Sequence, residues 1–255
     1  MKIRKSTIVH NFIMVIAMQI AKAEPLYVVK RNWDILIVLD ACRYDYFEKV
    51  NWIPGRLQAL EVESSCTIAW LKMNFPGKYD IVYISANPFC NSKRPVHGFL
   101  GRDHFKKVVD VWDFGWSNML KTVPPDIVTA TFVGEFEANP HERYIVHYMQ
   151  PHGPYIGKVR LNIETWDKYG KTIRGMWEHP RPDLKLLREA YRSNLELVLK
   201  EVERLIKYVK SRGFRKKIVI TADHGELLGE DGMFAHPCHI KHSCLNIVPW
   251  LEVQL

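Results

Sequence analysis

The most informative stretch of the chain is Thr221-Ala222-Asp223-His224-Gly225-Glu226. The apolar run Lys217-Ile218-Val219-Ile220 precedes it and is typical of a buried strand, so an Asp and a His reach the C-terminal edge of a sheet together. Carboxylate and imidazole groups bind Zn, Mn and similar ions, and open α/β sheets bind their ligands at this edge. The alternative is a capping box, in which Asp223 and Glu226 start a helix.

A second strand end lies far upstream. The segment 34–40 holds five consecutive apolar residues between two acids and ends in Asp40. Continuous apolar runs of this length are expected of parallel strands that are covered on both faces. A helical pattern follows, so Asp40 as a helix N-cap is the alternative. Two carboxylates at the same kind of edge, one beside His224, favour a shared metal ion over two separate caps.

The composition is that of a soluble globular protein. The chain has 255 residues, is 47% hydrophobic and 25% charged, and carries a net charge of +8, which indicates anionic partners. Because the basic residues are scattered and no nucleic-acid motif appears, we predict no nucleic-acid partner and expect a small anionic ester, such as a lipid or glycan headgroup. The five cysteines are odd in number and do not occur at paired spacings, which argues against a disulfide framework. We predict a cytoplasmic location, with an exported or membrane-surface location as the alternative.

The N-terminal segment is expected to be a separate part of the chain. We expect residues 1–30 to form a helical extension and residues 31–255 to form a single catalytic domain. The apolar core at 12–18 is too short to span a bilayer. We therefore expect residues 1–23 to form an amphipathic helix that packs on the domain or makes peripheral contact with a membrane. A signal peptide is the alternative, because Ala21-Lys22-Ala23 resembles a cleavage site.

Strand-like and helical patterns alternate along the chain. The strand-like runs lie at 34–40, 58–62, 80–85, 107–112, 143–149, 217–222 and 247–253. A helix is predicted after Pro124-Pro125 up to Ala138, and a single amphipathic helix from Asp183 to Arg212 that covers the sheet. This alternation predicts a three-layer αβα sandwich around a mostly parallel sheet. Segments 86–104 and 152–182 are predicted to be loops over the strand edge, where specificity is usually built.

Two further histidines are candidates for the same edge. Prolines on both sides of His152-Gly153 hold the backbone extended and stiff, which fixes the imidazole of His152. A rigid turn with an incidental histidine is the alternative. A glycine-flanked loop returns His236 twelve residues after His224, either to the same pocket or on a surface loop. His147 lies in the middle of a predicted strand and is expected to be a hydrogen-bonded core residue.

Three candidate nucleophiles end the second strand: Ser65, Cys66 and Thr67. A helical pattern begins directly after them. A hydroxyl or thiol at a helix N-terminus lies at the positive end of the helix dipole, and a metal ion there would lower its pKa further. The alternative is an ordinary Ser/Thr cap.

Taken in order, these motifs resemble the alkaline phosphatase superfamily, and most closely its sulfatase-like branch, from about residue 33 to residue 251. The resemblance implies an alkaline phosphatase-like fold and five metal ligands: Asp40, Thr67, Asp223, His224 and His236. It implies that His152 and His236 contact the transferred group or help to hold a second metal ion. Arg43 either contacts the anion or pairs with Asp45. Zn or Mn is the expected metal, with Ca or Mg as alternatives, and one or two ions are expected per chain.

The sequence also departs from the family pattern. Sulfatases carry Cys-x-Pro-Ser-Arg, whereas Thr67-Ile68-Ala69-Trp70 follows Cys66 here. Thr67 is therefore the preferred nucleophile, Ser65 the second and Cys66 the third. The resemblance then implies a metal-dependent hydrolase or transferase of phosphate esters, of the phosphodiesterase or phosphomonoesterase type, with a covalent phospho-enzyme on Thr67. The alternatives are a sulfatase with a modified Cys66 and a non-catalytic anion-binding protein of the same fold.

Overall fold

The computed structural model describes residues 26–161 and 183–254. The strands are β1 (Ile35–Leu39), β2 (Gly55–Glu61), β3 (Tyr79–Ser85), β4 (Phe105–Asp110), β5 (Tyr144–Tyr148), β6 (Ile218–Ala222), β7 (Leu227–Leu228), β8 (Phe234–Ala235) and β9 (Ile247–Val253). The helices are α1 (Tyr44–Val50), α2 (Thr67–Asn74), α3 (Gly101–His104), α4 (Val111–Phe114), α5 (Pro125–Ala138), α6 (Leu184–Ser211) and α7 (Ser243–Asn246). Short 3₁₀ turns lie at Val28–Lys30 and Glu230–Gly232.

Seven of the strands form one sheet in the order β2-β9-β6-β1-β5-β3-β4. All neighbours from β6 to β4 are parallel, whereas β9 runs antiparallel to both β6 and β2. Helices flank the sheet, with α5 against β3 and β5 and α1 against β9. The predicted αβα sandwich with a mostly parallel sheet is confirmed. All seven predicted strands are present, and only their ends differ, by up to three residues.

The register of the central strands sets the position of the acids. Leu39, the last residue of β1, pairs with Ala222 of β6 on one side and with Tyr148 of β5 on the other. The next residues, Asp40 and Asp223, therefore leave the sheet at the same level. All five residues of β1 are fully buried, because both faces of the strand are covered. The continuous apolar run is the direct consequence of this burial.

Helix α6 is the long amphipathic helix that the sequence predicts. The side chain of Asp183 caps it by accepting hydrogen bonds from the N–H groups of Lys185 and Leu186. Gly213 ends it with a φ of +76°, a left-handed conformation that favours glycine. The apolar stripe, which includes Leu195 and Val198, is buried in the main core. The predicted bounds differ from the observed ones only by the residues that cap each end.

The predictions for the chain termini and long loops are covered in part. Residues 1–23 lie outside the described residues, as does 162–182 of the predicted loop 152–182. Within the described part, Leu26 and Val28 are buried and the N–H of Leu26 donates to the carbonyl of Glu61 at 2.8 Å. Among the described helices, none combines the length and the apolar character that a membrane crossing needs.

Candidate active site

Two strand ends and one strand interior bring three polar side chains together. Asp40 follows the central strand β1, Asp223 follows β6 on one side of it, and His147 lies on β5 on the other side, all without solvent exposure. The Nε2 atom of His147 is 3.9 Å from a carboxylate oxygen of Asp40 and 3.9 Å from one of Asp223. One ligand atom from each of the three residues lies within 4.8 Å of the others. Both carboxylates are thus within reach of a common ion.

His224 faces the same two carboxylates. Its Nε2 atom is 3.3 Å from Oδ2 of Asp223 and 3.7 Å from Oδ1 of Asp40. Its Nδ1 atom is 2.8 Å from the carbonyl oxygen of Gly225, which can only accept a hydrogen bond. Nδ1 therefore donates this hydrogen bond, which leaves Nε2, the atom that faces the carboxylates, as the atom that could bind a metal ion.

Thr67 is the first residue of helix α2 and reaches into this cluster. Its hydroxyl donates to Oδ2 of Asp223 at 2.7 Å and lies 3.3 Å from Nε2 of His224. The N-cap residue Cys66 makes no side-chain cap hydrogen bond, and Thr67 lies in the first turn, at the positive end of the helix dipole. The preferred nucleophile of the sequence analysis is therefore in contact with two of the predicted metal ligands.

Asn87 is a site residue that the sequence analysis missed. Its side-chain N–H donates to Oδ2 of Asp40 at 2.7 Å and lies 3.4 Å from the hydroxyl of Thr67. Its own carbonyl accepts from the N–H of Phe89, which fixes the orientation of the amide. Asn87 follows β3 by two residues, so a polar side chain directly after a predicted strand was the available signal.

The charges of the cluster are unbalanced within the described residues. Burial, and then the charge of Asp223, raise the pKa of Asp40 well above its ordinary value. Burial lowers the pKa of His147 to about 4, so this ring is neutral at pH 7 and supplies no positive charge. Oδ1 of Asp40 and Nε2 of His147 have no hydrogen-bond partner among the described residues. Buried polar atoms without partners are costly, and a divalent cation would satisfy both. The donor set therefore fits a metal ion.

A second cluster adjoins the first. His152, Glu226 and His236 offer ligand atoms that lie within 4.8 Å of one another, and the two Nε2 atoms are 2.9 Å apart. The ring of His236 lies 4.3 Å from that of His224. Burial lowers the pKa of His152 to about 4 and raises the pKa of Glu226 well above its ordinary value. Both predicted histidines thus reach the same site. Glu226 was missed as a member, because the sequence analysis considered it only as part of a cap.

His147 has a double role that the sequence analysis predicted only in part. Its Nδ1 atom lies 2.7 Å from the hydroxyl of Tyr83, as expected of a hydrogen-bonded core histidine. Its Nε2 atom nevertheless faces the carboxylates of Asp40 and Asp223. Mid-strand position alone did not reveal this second contact.

Two of the three candidate nucleophiles are engaged elsewhere. Cys66 forms a disulfide with Cys238, 172 residues away. This corrects the prediction against disulfides and removes Cys66 both as a nucleophile and as the modified residue of a sulfatase. The hydroxyl of Ser65 donates to the carbonyl of Pro237 at 2.8 Å. Spacing along the chain could not show these contacts, because they join distant segments.

Arg43 links elements of the site and does not present a free guanidinium. Its Nε and Nη2 donate to the carboxylate of Asp45, each at 2.9 Å. Its Nη1 donates to Glu230 at 2.8 Å and to the backbone carbonyl of Glu226 at 3.2 Å. The alternative of an Asp45 pair is therefore confirmed, and a contact of Arg43 with an anion stays a prediction.

Neither acid acts as a helix cap, which was the competing interpretation. The N-cap of α1 is Arg43, not Asp40. Oδ1 of Asp223 accepts from the N–H groups of Ala41 and His224, and strand β7, not a helix, follows Glu226.

Known proteins that resemble the chain are found by structure and not by sequence. No protein-family model matches the chain, and no curated protein does. The C-terminal periplasmic domain of EcEptC from Escherichia coli, in complex with Zn, superposes with a TM-score of 0.58 at 14% identity over 91% of this chain and 76% of that chain. The integral membrane protein lipooligosaccharide phosphoethanolamine transferase A of Neisseria meningitidis gives 0.53 at 14% identity, over 98% of this chain and only 55% of its own length. The phosphonate monoester hydrolase of Agrobacterium radiobacter gives 0.52 at 16% identity, over 87% and 68%.

These similarities establish the fold. The similar structures belong to the alkaline phosphatase superfamily, and the predicted alkaline phosphatase-like fold is confirmed. They are enzymes that transfer or hydrolyse esters, and one of them holds Zn. The prediction of a cytoplasmic location is wrong, because the similar domains include periplasmic ones.

Proposed function

We propose that the chain is a metal-dependent hydrolase or transferase of phosphate esters, of the phosphodiesterase or phosphomonoesterase type, that works through a covalent phospho-enzyme on Thr67. The observation that supports this most is the 2.7 Å hydrogen bond from the Thr67 hydroxyl to the buried carboxylate of Asp223. A hydroxyl that only caps a helix needs no buried acids beside it, whereas a nucleophile needs a base and a charge partner.

Four side chains are suited to hold the divalent ion, with Zn or Mn as the best match to their donor atoms: Asp40, Thr67, Asp223 and His224. The bound ion would lower the pKa of the hydroxyl and offset negative charge on the ester. The second cluster, which contains His152 and His236, is suited to contact the transferred group or to take part in binding a second ion. Neutral imidazoles can donate N–H hydrogen bonds to phosphoryl oxygens without adding a fixed charge.

The reaction follows from the contacts of Thr67. Its oxygen forms a bond to phosphorus while the bond from phosphorus to the leaving oxygen breaks. The hydroxyl proton passes to the carboxylate of Asp223, and the leaving oxygen gains a proton from solvent. Water or an acceptor hydroxyl then attacks phosphorus and gives its proton to solvent. The bond from phosphorus to the Thr67 oxygen breaks, and this oxygen takes back the proton that Asp223 had accepted. Hydrolysis and transfer differ only in this second acceptor.

We further propose an anionic ester substrate with a lipid or glycan headgroup and no nucleic-acid partner. The net charge of +8 supports an anionic substrate. The transferase neighbour is named for phosphoethanolamine, which makes phosphodiester donors of that kind the first to test. Peripheral membrane contact through residues 1–23 belongs to the same proposal.

We also propose that the domain works outside the reducing cytoplasm. The disulfide between Cys66 and Cys238 supports this, because disulfides persist mainly in oxidising compartments. Mass analysis of protein from the native cells, alkylated at lysis, would show the Cys66 and Cys238 peptides linked. Full alkylation of both thiols would contradict the proposal.

The phospho-enzyme is tested with the disulfide-intact chain, loaded with Zn or Mn and mixed with a panel of phosphodiesters and monoesters. We expect intact-mass analysis to detect a covalent adduct on the wild type and on Thr67→Ser, and none on Thr67→Ala. Turnover of Thr67→Ala should fall at least about 10³-fold, as is common when a nucleophile is removed. Ser65→Ala is the matched control, because its hydroxyl contacts only a distant carbonyl among the described residues. Full turnover by Thr67→Ala would overturn the proposal.

A further inference from the structure

We infer that helix α6 positions the two halves of the site through two buried polar side chains, Tyr191 and Asn194. Both are fully buried, and each binds the backbone of a loop that presents a site residue. The inference rests on the proposed function for the roles of the two loops in binding metal and substrate. The contacts of Tyr191 and Asn194 with the loops do not depend on that function. The sequence analysis assigned α6 only the task of covering the sheet.

Tyr191 clamps the turn that follows Asp40. Its hydroxyl donates to the carbonyl of Ala41 at 2.7 Å and accepts from the N–H of Arg43 at 2.9 Å. Ala41 has a φ of +58°, in the left-handed region that residues with a Cβ atom disfavour. Such a conformation persists only when neighbouring contacts hold it. The Tyr191 hydroxyl satisfies both backbone groups of this turn and so fixes the exit of Asp40 from the sheet.

Asn194 clamps the loop that carries His152. Its side-chain N–H groups donate to the carbonyls of Pro151 at 3.0 Å and His152 at 3.1 Å, and its carbonyl accepts from the N–H of Ile156 at 3.0 Å. The loop contains two prolines, which have no N–H to share with these carbonyls. The donors must therefore come from outside the loop, and Asn194 supplies them from a rigid helix.

The spacing of Tyr191 and Asn194 along α6 explains how one helix can hydrogen-bond to both loops. Tyr191 and Asn194 are three residues apart, so they lie on the same face of α6, one turn from each other. The two loops also touch directly, since the N–H of His152 donates to the carbonyl of Asp40 at 3.1 Å. The relative position of the metal cluster and the histidine cluster is thus set by a single helical turn.

The competing explanation is that these polar groups serve only stability. Both explanations predict that their loss destabilises the protein. Only the positioning role predicts separate effects: Tyr191 acts on the loop of a proposed metal ligand, and Asn194 acts on the loop of a residue proposed to contact the transferred group. Metal affinity and turnover should therefore respond differently to the two variants.

The test uses Tyr191→Phe and Asn194→Asp in the full chain, with Asn194→Ser as a second variant should the aspartate not fold. Tyr191→Phe keeps the aromatic ring that packs on Tyr46 at 4.9 Å between centroids. Val198→Ala is the matched control, because Val198 is a fully buried core residue one turn further along α6. Three quantities are measured: the Kd for Zn by chelator competition, kcat and KM on the best ester, and amide hydrogen exchange of the metal-free protein.

We expect Tyr191→Phe to raise the Zn Kd about tenfold or more, the usual effect of losing a group that orients a ligand. Asn194→Asp should lower kcat at least about tenfold and leave the Zn Kd within about threefold. Exchange should accelerate at Ala41 and Arg43 in the first variant and at His152 and Ile156 in the second. Val198→Ala should lower only the Tm.

The inference is overturned when both variants lower the Tm as the control does and leave the Zn Kd, kcat and local exchange unchanged. Failure of the proposed function gives a different result. A wild type that neither binds Zn nor turns over ester would refute that function, while the exchange of the metal-free variants would still decide whether Tyr191 and Asn194 hold the loops.

Discussion

Replacing Asp40 with asparagine should stabilise the folded protein when no metal is bound and should remove the stabilisation that metal gives. In the metal-free protein, Asp40 and Asp223 are two buried acids whose nearest oxygens lie within 4.8 Å. Asparagine has almost the same size, and its carbonyl can still accept the hydrogen bond from Asn87 that Asp40 accepts now. We therefore expect Asp40→Asn to be more stable than the wild type in the absence of metal, because a like charge has been removed.

The magnitude follows from Coulomb's law. Two unit charges that lie within 4.8 Å of each other repel by at least about 3.5 kcal/mol at an effective dielectric constant of about 20. Burial and the charge of Asp223 raise the pKa of Asp40, so partial protonation at pH 7 already relieves some of this repulsion. We expect a gain of about 1–2 kcal/mol, which corresponds to a Tm rise of about 3–6 °C for a domain of this size. A raised carboxyl pKa destabilises the fold above the unfolded pKa, so the gain should vanish below about pH 4.

With metal bound, we expect the wild type to be more stable than Asp40→Asn. A ligand at a hundred times its Kd stabilises the folded state by about 2.7 kcal/mol, so Zn should raise the Tm of the wild type by about 5–10 °C. The asparagine variant should gain little. Thermal or urea unfolding in a chelator and in Zn measures all four values. Asp103→Asn is the matched control, because the same chemical change is made in an exposed side chain outside the cluster.

Two results would refute this reasoning. One is a metal-free Asp40→Asn that is less stable than the wild type by more than about 1 kcal/mol, which would make Asp40 a structural acid. The other is an equal rise in Tm with Zn for both proteins, which would show that Asp40 does not hold the ion.

Three further predictions concern the framework of the site. Cys238→Ser should lower the free energy of unfolding by up to about 5 kcal/mol in urea titrations, because the lost disulfide closes a loop of 172 residues. Burial lowers the pKa of both His147 and His152 to about 4. At these two rings the unfolded chain therefore binds more protons, and each ring should cost the metal-free protein up to about 3 kcal/mol as the pH falls from about 6.5 to 4. Asp40 and Glu226, whose pKa values burial raises, act in the opposite direction over the same range, so the wild type is compared with His152→Gln, which lacks one of the rings. Gly225→Ala should cost at least about 3 kcal/mol, because its Cβ would lie 1.9 Å from a backbone carbonyl oxygen, whereas Gly134→Ala in α5 meets no atom within 4 Å and should be neutral or stabilising.

Each of these predictions has a result that contradicts it. An unchanged urea midpoint for the cysteine variant under oxidising conditions would show that the disulfide does not form. A difference in stability between the wild type and His152→Gln that stays constant between pH 6.5 and 4 would mean that the buried ring of His152 does not resist protonation. Equal stability of the two glycine variants would show that the backbone at residue 225 has room for a side chain.

The sheet and two of the acids could be predicted from the sequence, because strands that are buried on both faces appear as continuous apolar runs. β1 and β6 are continuous apolar runs, and each ends in an acid, so register and site followed from the same pattern. The strand ends were less certain where the sheet meets solvent. β4 begins at the buried Phe105, but exposed lysines follow at 106 and 107 and interrupt the apolar pattern.

The rest of the site depends on contacts between distant segments. Asn87 and Glu226 are polar residues in loops. The position of Asn87 just after β3 was a weak signal, but it did not show that the side chain turns toward Asp40, and Glu226 gave no signal of its contact with His152. The bond between Cys66 and Cys238 joins segments 172 residues apart, so an odd number of cysteines gave a misleading signal. Arg43 shows the opposite case, since its nearest acid, Asp45, was visible in the sequence and does bind it.

The last strand of the sheet has a consequence for the order in which the site is assembled. β9 lies between β6 and β2, so β2 has no neighbouring strand in the described sheet until β9 is inserted. The segment from β2 to Thr67 is then held by Asn246, which donates to the carbonyls of Val62 and Ser64. During synthesis Thr67 is made early, but Asn246, which holds this segment, is made only about 180 residues later. Thr67, the proposed nucleophile, is thus among the last parts of the site to be supported, and we expect a nascent or truncated chain that lacks β9 to be inactive.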